Sequence, residues 1–416
     1  MRRRFLSAFF VFFVPLWCKS ELQTVSSLFV LETADREPIT GPLLSLSDDW
    51  SVRLGGREEA RAAGGQVVGL RRAGAAMPPL PARNCIFFGN GDALAVSQVR
   101  YEDERLVLTP RAPLTLSPPP NGGEGAPKVL RIASAAVAVV WFTAPDDERH
   151  PDKLRRDLAS GQRTRDRVLL RNGDSLEGTL TGINGKAIAL EIDKRKLTVQ
   201  LDKIAAIAMN TELAARRQPK GPYARIALAN GCRLSLASAV CDGVTLTGKT
   251  LWGADVQIKT EDLVALALMQ GRAVYLSDLK PSKVEQTPYL DAVSPPVRDG
   301  SVKGRDLRVG GGTYDKGLGM HSACRMTYDL VAGFNRFEAT VGLDDATGRD
   351  GRARVQVLVD GKPQKLALVG DLTHRNGPLA VRVDVTSAKQ LTLVADFGKL
   401  GDVQADVDWV DARLLK

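Results

Sequence analysis

Residues 314–345, YDKGLGMHSACRMTYDLVAGFNRFEATVGLDD, decide how the C-terminal third of this chain is read. Glycines at Gly310, Gly311, Gly312, Gly317 and Gly319 lead into the stretch and allow backbone angles that side chains forbid. Two strand patterns follow. Met326, Tyr328 and Leu330 alternate with polar residues, and Phe337, Ala339, Val341 and Leu343 do the same, as expected of strands with one face on a core. The second pattern runs directly into Asp344 and Asp345. Further on, Val355, Val357 and Val359 alternate up to Asp360-Gly361, a dipeptide suited to a tight hairpin turn.

The order of these features resembles the NPCBM family of carbohydrate-binding modules, which accompany glycosidase domains. The resemblance rests on the Gly-x-Gly-x-His-Ser loop ending at Ser322, the Val-Gly-Leu-Asp-Asp end of the second strand, and the closing segment DVDWVDARLL. It covers roughly residues 274–416. It implies a two-sheet jelly-roll sandwich like the galactose-binding folds, often with a structural calcium and with sugar bound by loops at one edge. Tyr314, His321 and Trp409 are the sugar-binding candidates it implies, and Asp344, Asp345, Asp408 and Asp411 the calcium candidates. Calcium takes six to eight oxygen ligands, mostly carboxylates and carbonyls. Each candidate has a structural alternative: the aspartates as turn residues, His321 as a tie between buried loops, Trp409 as core. One departure stands out, since the family commonly has Asp-His before the tryptophan and this chain has Ala405-Asp406. Trp409, Asp411 and Arg413 are expected on the strand face opposite Val410, Ala412 and Leu414.

Upstream, Phe29 to Gln270 reads as internal repeats. A strand, an Asn-Gly turn and a second strand recur at Asn90, Asn172 and Asn230, and Asn-Gly is a strong hairpin signal. Each copy closes on a pair spaced by three: Val137 and Val140, Ile204 and Ile207, Leu263 and Leu266. A weaker copy begins at Phe29. Five short strands per unit resemble the small barrels of Sm-like domains, and no ligand-binding signature comes with that resemblance. The chain is therefore expected to be all-β, several small β-barrel-like repeats followed by a galactose-binding-like jelly-roll β-sandwich. The expected parts are a signal peptide at 1–20, β repeats at 28–74, 84–143, 166–210 and 223–270, a charged linker at 144–165, and the sandwich at 274–416.

The N-terminus has Arg2, Arg3 and Arg4, an apolar run from Phe5 to Trp17, and Cys18-Lys19-Ser20 as a cleavage site. That run is shorter than the ~20 residues a membrane span needs, so the protein is expected to be secreted or held in the periplasm or cell envelope, without a membrane span after cleavage. Removing those arginines and Lys19 lowers the formal charge from +9 to +5, too dilute for a nucleic-acid footprint. Cys85, Cys232, Cys241 and Cys324 then remain, and they are either small buried thiols or, for Cys232 and Cys241, a disulfide across a hairpin-like segment. His321 and Cys324 alone do not make a zinc site in a chain with three histidines.

Arginines of the charged linker, with Arg216 and Arg217, read as a solvated face. The prolines at Pro281, Pro288, Pro295 and Pro296 read as a boundary between Arg272 and Asp299 that proteases would cut. Short β units occupy the space a barrel-type glycosidase would need, about 250 residues of alternating strand and helix, so the chain is read as non-catalytic. The expected function is binding of polysaccharide or glycoprotein glycans of galactose type, with the repeats as scaffold. The alternative is an envelope scaffold whose repeats and sandwich bind protein partners.

Overall fold

The computed structural model describes residues 27–116, 129–212, 219–289 and 293–416. The signal-peptide reading, Arg216 and Arg217, and residues 117–128 lie outside the described residues. Among those described, the chain is built of strands with a single α-helix, Pro151–Ser160. The all-β expectation holds, and a sandwich forms the C-terminal module.

Residues 28–269 form four units wired alike. In the last of them, Tyr223–Leu228, Arg233–Cys241, Thr245–Thr250 and Asp255–Lys259 pair in order as an antiparallel meander. One 3-10 turn, Thr260–Asp262, then returns Leu263–Met269 to the first strand. The unit running from Asp166–Leu170 to Ile204–Ala208 repeats this wiring. The unit from Cys85–Phe88 to Val137–Trp141 and that from Leu28–Thr33 to Val67–Arg72 also return their last strand to their first.

The repeated turn has a local cause. Gly91, Gly173 and Gly231 sit at φ 87°, 91° and 87°, the left-handed region that glycine occupies without strain. Each preceding asparagine accepts from the backbone N–H two residues on, at 3.1 Å for Asn90 and Asn172 and 3.0 Å for Asn230. The asparagines are not themselves left-handed, so the hairpin is a three-residue loop closed by a glycine bulge rather than a two-residue turn.

The closing pairs noted in the sequence point inward. Val137, Val140, Ile204, Ile207, Leu263 and Leu266 all belong to one apolar core shared by the four units. Closing strands also join units edge to edge: Val137–Trp141 with Ile204–Ala208, and Leu263–Met269 with Val67–Arg72.

The C-terminal sandwich has two antiparallel sheets. One contains Val297–Arg298, Gly317–His321, Asp406–Leu415, Arg336–Leu343 and Leu379–Asp384, with Ala273–Tyr275 added on the closing strand. The other contains Lys283–Gln286, Cys324–Asp329, Gln390–Phe397, Ala353–Val359 and Lys362–Pro363. Phe337, Leu318, Met326, Tyr328, Leu393 and Trp409 fill the space between them. The proline-rich segment is thus no plain linker, because Ala273–Tyr275 and Lys283–Gln286 are strands of the sandwich itself.

Asp406–Leu415 is the central strand of its sheet, and it carries a bulge. Its pairing with Arg336–Leu343 shifts between Glu338 and Thr340, and Asp411 adopts φ 50°. A bulge inserts one residue and resets the alternation of faces. Trp409 therefore shares the core with Ala412 and Leu414, while Val410 packs on the other side with Leu307 and Val309. Strict alternation fails here for that reason.

Two further expectations are corrected. Cys232 and Cys241 stand at opposite ends of one extended strand, about 30 Å apart at ~3.3 Å per residue, and cannot pair. All four described cysteines are free and buried. The arginines of the charged segment are not simply solvated: Arg155 and Arg156 bind Asp306 of the sandwich at 2.9 and 3.0 Å.

Candidate functional site

The Gly-x-Gly-x-His-Ser motif is a strand rather than a loop, Gly317–His321, lying between Val297–Arg298 and the closing strand. Its glycines are needed for close approach. A Cβ at Gly319 would stand 2.5 Å from the Gly300 carbonyl oxygen and the Val302 nitrogen, so the 300–302 segment can lie directly over the strand. That approach covers the outer face of the sheet and leaves His321 at its end, where it pairs in register with Asp406.

His321 Nδ1 lies 2.6 Å from Asp406 Oδ1, and Lys303 Nζ lies 3.6 Å from Asp406 Oδ2. The residue that departs from the family pattern thus meets the motif histidine directly. Asp406 is nearly buried and Lys303 is exposed, so the three form a graded path from the sheet to solvent. Engagement of Nδ1 orients the ring and leaves Nε2 for a ligand.

An aromatic ring stands at the same end of the sandwich. Thr287 donates to the Ala323 carbonyl at 3.0 Å, and Ser322 donates to the Ala405 carbonyl at 3.2 Å, which brings residues 287–289, 321–323 and 401–406 together. Tyr289 is 60% exposed, with its ring edge-on to Phe397 at 5.5 Å. Leu400 and Val403 are exposed on the adjoining turn. Sequence reading missed Tyr289 because it sits among prolines, outside any strand pattern. Its high exposure despite packing on Phe397 is a signal that only the fold provides.

The other sugar candidates lie elsewhere. Trp409 is fully buried in the sandwich core, which removes it as a stacking surface. Tyr314 ends the Gly312–Tyr314 strand and faces the repeats rather than His321. His321 alone of the three is placed at the exposed edge.

The four aspartates separate into two kinds. Asp345 accepts from the Gly310 and Gly311 N–H groups, at 2.8 Å each, and so pins a hairpin turn. Asp411, in the bulge, pairs with Arg71 of the first β unit. Neither points to a shared centre. Asp344 and Asp408 are both buried, and among the described residues Asp344 Oδ2 and both carboxylate oxygens of Asp408 have no hydrogen-bond partner. Burial pushes the Asp408 carboxyl well above the usual range, and the neighbouring Asp344 adds to the shift. Burial likewise raises Asp344. Ser301 Oγ, also buried, lies close enough to Asp344 to oppose that rise.

Unpaired buried oxygens are costly, and oxygen donors alone suit a hard cation such as calcium. The fit is partial. Among the described residues no group of three or more His, Cys, Asp or Glu side chains converges on one point, so backbone carbonyls or water would have to complete such a site.

Residues 272–415 match the NPCBM/NEW2 domain. A protein of Renibacterium salmoninarum named for endo-alpha-N-acetylgalactosaminidase is 32% identical over 114 residues, 27% of this chain and 7% of its own length. The chain thus spans a small part of that curated relative. Among solved structures, CBM51 from Clostridium perfringens GH95 in complex with methyl-galactose is 24% identical, covering 34% of this chain and 99% of its own, with a TM-score of 0.30. CBM51-2 with the INT domains of Clostridium perfringens ZmpB, in complex with GlcNAc, is 21% identical over 44% of this chain and 38% of its own, at 0.31. The tandem CBM51 modules of Streptococcus pneumoniae Sp3GH98 are 14% identical over 62% and 90%, at 0.29.

Proposed function

We propose that the protein is an exported, non-catalytic carbohydrate-binding protein whose NPCBM/NEW2 domain takes galactose-type or related glycans at the edge formed by Tyr289, Lys303, His321 and Asp406. The observation that carries this reading is the His321–Asp406–Lys303 arrangement, with an exposed tyrosine ring at the same end of the sandwich. An aromatic face packs against the C–H side of a sugar ring, and charge-assisted donors and acceptors address its hydroxyls. The domain match supports a glycan ligand, and the name of the Renibacterium salmoninarum relative supports one of galactose type. Hydrogen bonds of about 0.5–1.5 kcal/mol each and one exposed ring imply weak affinity, roughly micromolar to millimolar.

Around that site, the four β units serve as a scaffold. Their common wiring of a four-strand meander, a 3-10 turn and a returning fifth strand supports the Sm-like reading. Export rests on the N-terminal arginines and apolar run. Calcium, held by Asp344 and Asp408 with help from Ser301, would neutralise the unpaired carboxylates beneath the 300–302 segment and fix it over the sheet. A glycan array with the full chain tests the reading. Signal confined to galactose-type glycans and lost in His321→Ala supports it, and no glycan signal at millimolar concentration favours the protein-binding scaffold.

A further inference from the structure

A cleft of about 910 Å³ separates the repeats from the sandwich. Tyr223 and Arg225 come from the fourth unit and Phe87, Asn90 and Gly91 from the second, while Tyr275, Tyr314 and Lys316 come from the C-terminal side. None of these belongs to the His321 edge. The volume lies within the range of small-molecule sites, about 300–1,000 Å³.

The carboxylates of the cleft are already occupied. Asp306 is held by Arg155 and Arg156 at 2.9 and 3.0 Å. Asp278 and Asp299 share Lys316 at 2.5 and 2.7 Å, and Asp315 binds Arg233 at 2.6 Å. A cation therefore finds no unpaired acid there. Arg225 makes no ion pair within 4 Å among the described residues, although Asp315, Asp92 and Asp299 lie near enough to favour its charge; its Nη2 donates to the Gly91 carbonyl at 3.2 Å, and among the described residues its buried Nε has no acceptor. A guanidinium with unused N–H groups is a fork for a carboxylate. One such fork, with acids already near it, suits a single negative charge better than a polyphosphate.

Aromatic side chains supply the rest. The chain has 6 tyrosines, and Tyr223, Tyr275 and Tyr314 all line this cleft. Tyr275 is buried under the Lys316 ammonium, 5.7 Å from its ring centre, whereas Tyr223 and Tyr314 are partly exposed. Ring faces with hydroxyl tips, beside one guanidinium, are the pairing that a sugar ring bearing a carboxylate requires. We infer that this cleft is a second saccharide site, taking an acidic sugar whose carboxylate docks on Arg225 and whose ring lies against Tyr223 and Tyr314. The inference does not rest on the His321 edge, and the two can fail separately.

Calorimetric titration of the full chain with galacturonic acid oligosaccharides, sialyllactose and neutral lactose tests it, and the two acidic probes distinguish uronic from sialic acid sources. The expected result is binding of at least one acidic probe, with lactose not competing. Arg225→Lys, which keeps the charge and loses the fork, weakens that binding by at least about tenfold, and so does Tyr223→Ala, while His321→Ala leaves it unchanged. Melting curves accompany each variant, and Tyr223→Ala, at a partly exposed position, serves if Arg225→Lys unfolds. Absence of acidic-probe binding at millimolar concentration overturns the inference. So does acidic-probe binding that both cleft variants retain, or that His321→Ala abolishes.

Discussion

Asp406 stands directly across from His321 in the sheet, with its carboxylate 2.6 Å from the imidazole Nδ1. The pair joins the motif strand to the closing strand at the exposed edge of the sandwich, and Lys303 extends it toward solvent. Asp406 thus engages the motif histidine directly. Asp406→Asn keeps the size of the side chain and removes its charge. Glycan binding is expected to weaken by about tenfold, near the 1.4 kcal/mol of one charge-assisted hydrogen bond, with the melting temperature little changed. Unchanged affinity in isothermal titration would show that the carboxylate orients nothing a ligand uses.

Asp408 gives the calcium proposal a sign. Its folded-state carboxyl is raised well above 3.8, so the fold binds this proton more tightly than the unfolded chain does. Its contribution is fully present below the unfolded value and is lost as pH rises toward the folded one. In chelator, Asp408→Asn should therefore stabilise the protein at neutral pH and flatten that loss. With calcium at 100 times its dissociation constant, the wild type should gain about 2.7 kcal/mol, and Asp408→Asn and Asp344→Asn should lose that gain. Asp345→Ala should keep it, since Asp345 holds a turn. Melting curves that show no calcium shift in the wild type would remove calcium from the account.

Arg233 is 1% exposed and binds Asp315 of the sandwich side at 2.6 Å. Burial opposes ionisation of Asp315, but Arg233 and Arg225 overcome it and hold the carboxyl below its usual value. That contribution is present above the unfolded value and is lost as pH falls through the folded one. Asp315→Ala leaves a buried guanidinium unpaired and should cost about 3–5 kcal/mol. Chemical denaturation should show this loss, and limited proteolysis should then cut between the repeats and the sandwich more readily than in the wild type.

Burial raises the thiols of Cys85, Cys232, Cys241 and Cys324, the last to about 11. Thiols protonated at neutral pH and shielded from solvent react slowly. A colourimetric thiol titration should find them inert in the native protein and reactive after denaturation. A Cys232–Cys241 disulfide in peptide mapping would contradict the strand that separates the two residues.

Much of the fold was legible because its signals are local. Asn90-Gly91, Asn172-Gly173 and Asn230-Gly231 make their turns with their own side chains and a left-handed glycine, and short windows contain everything that is needed. His321 was legible through its motif. The faces of the closing strand were not, because the bulge at Asp411 depends on pairing with residues some 70 positions earlier. A still longer separation hid Tyr289, whose exposure depends on where Phe397 and Gly401 fall more than a hundred residues later. Asp411 and Arg155 looked free in sequence because their partners, Arg71 and Asp306, are more than a hundred residues away.

The most direct test of the proposed glycan site is titration of the full wild-type chain and its Tyr289→Ala and His321→Gln variants with the glycan that gives the strongest array signal, with a melting curve for each. Tyr289 is 60% exposed, so its removal should leave the fold intact. The account predicts that Tyr289→Ala and His321→Gln each weaken binding by at least about tenfold, and that Tyr289→Ala does so at an unchanged melting temperature. Wild-type affinity in both variants would contradict it and place glycan recognition elsewhere on the protein.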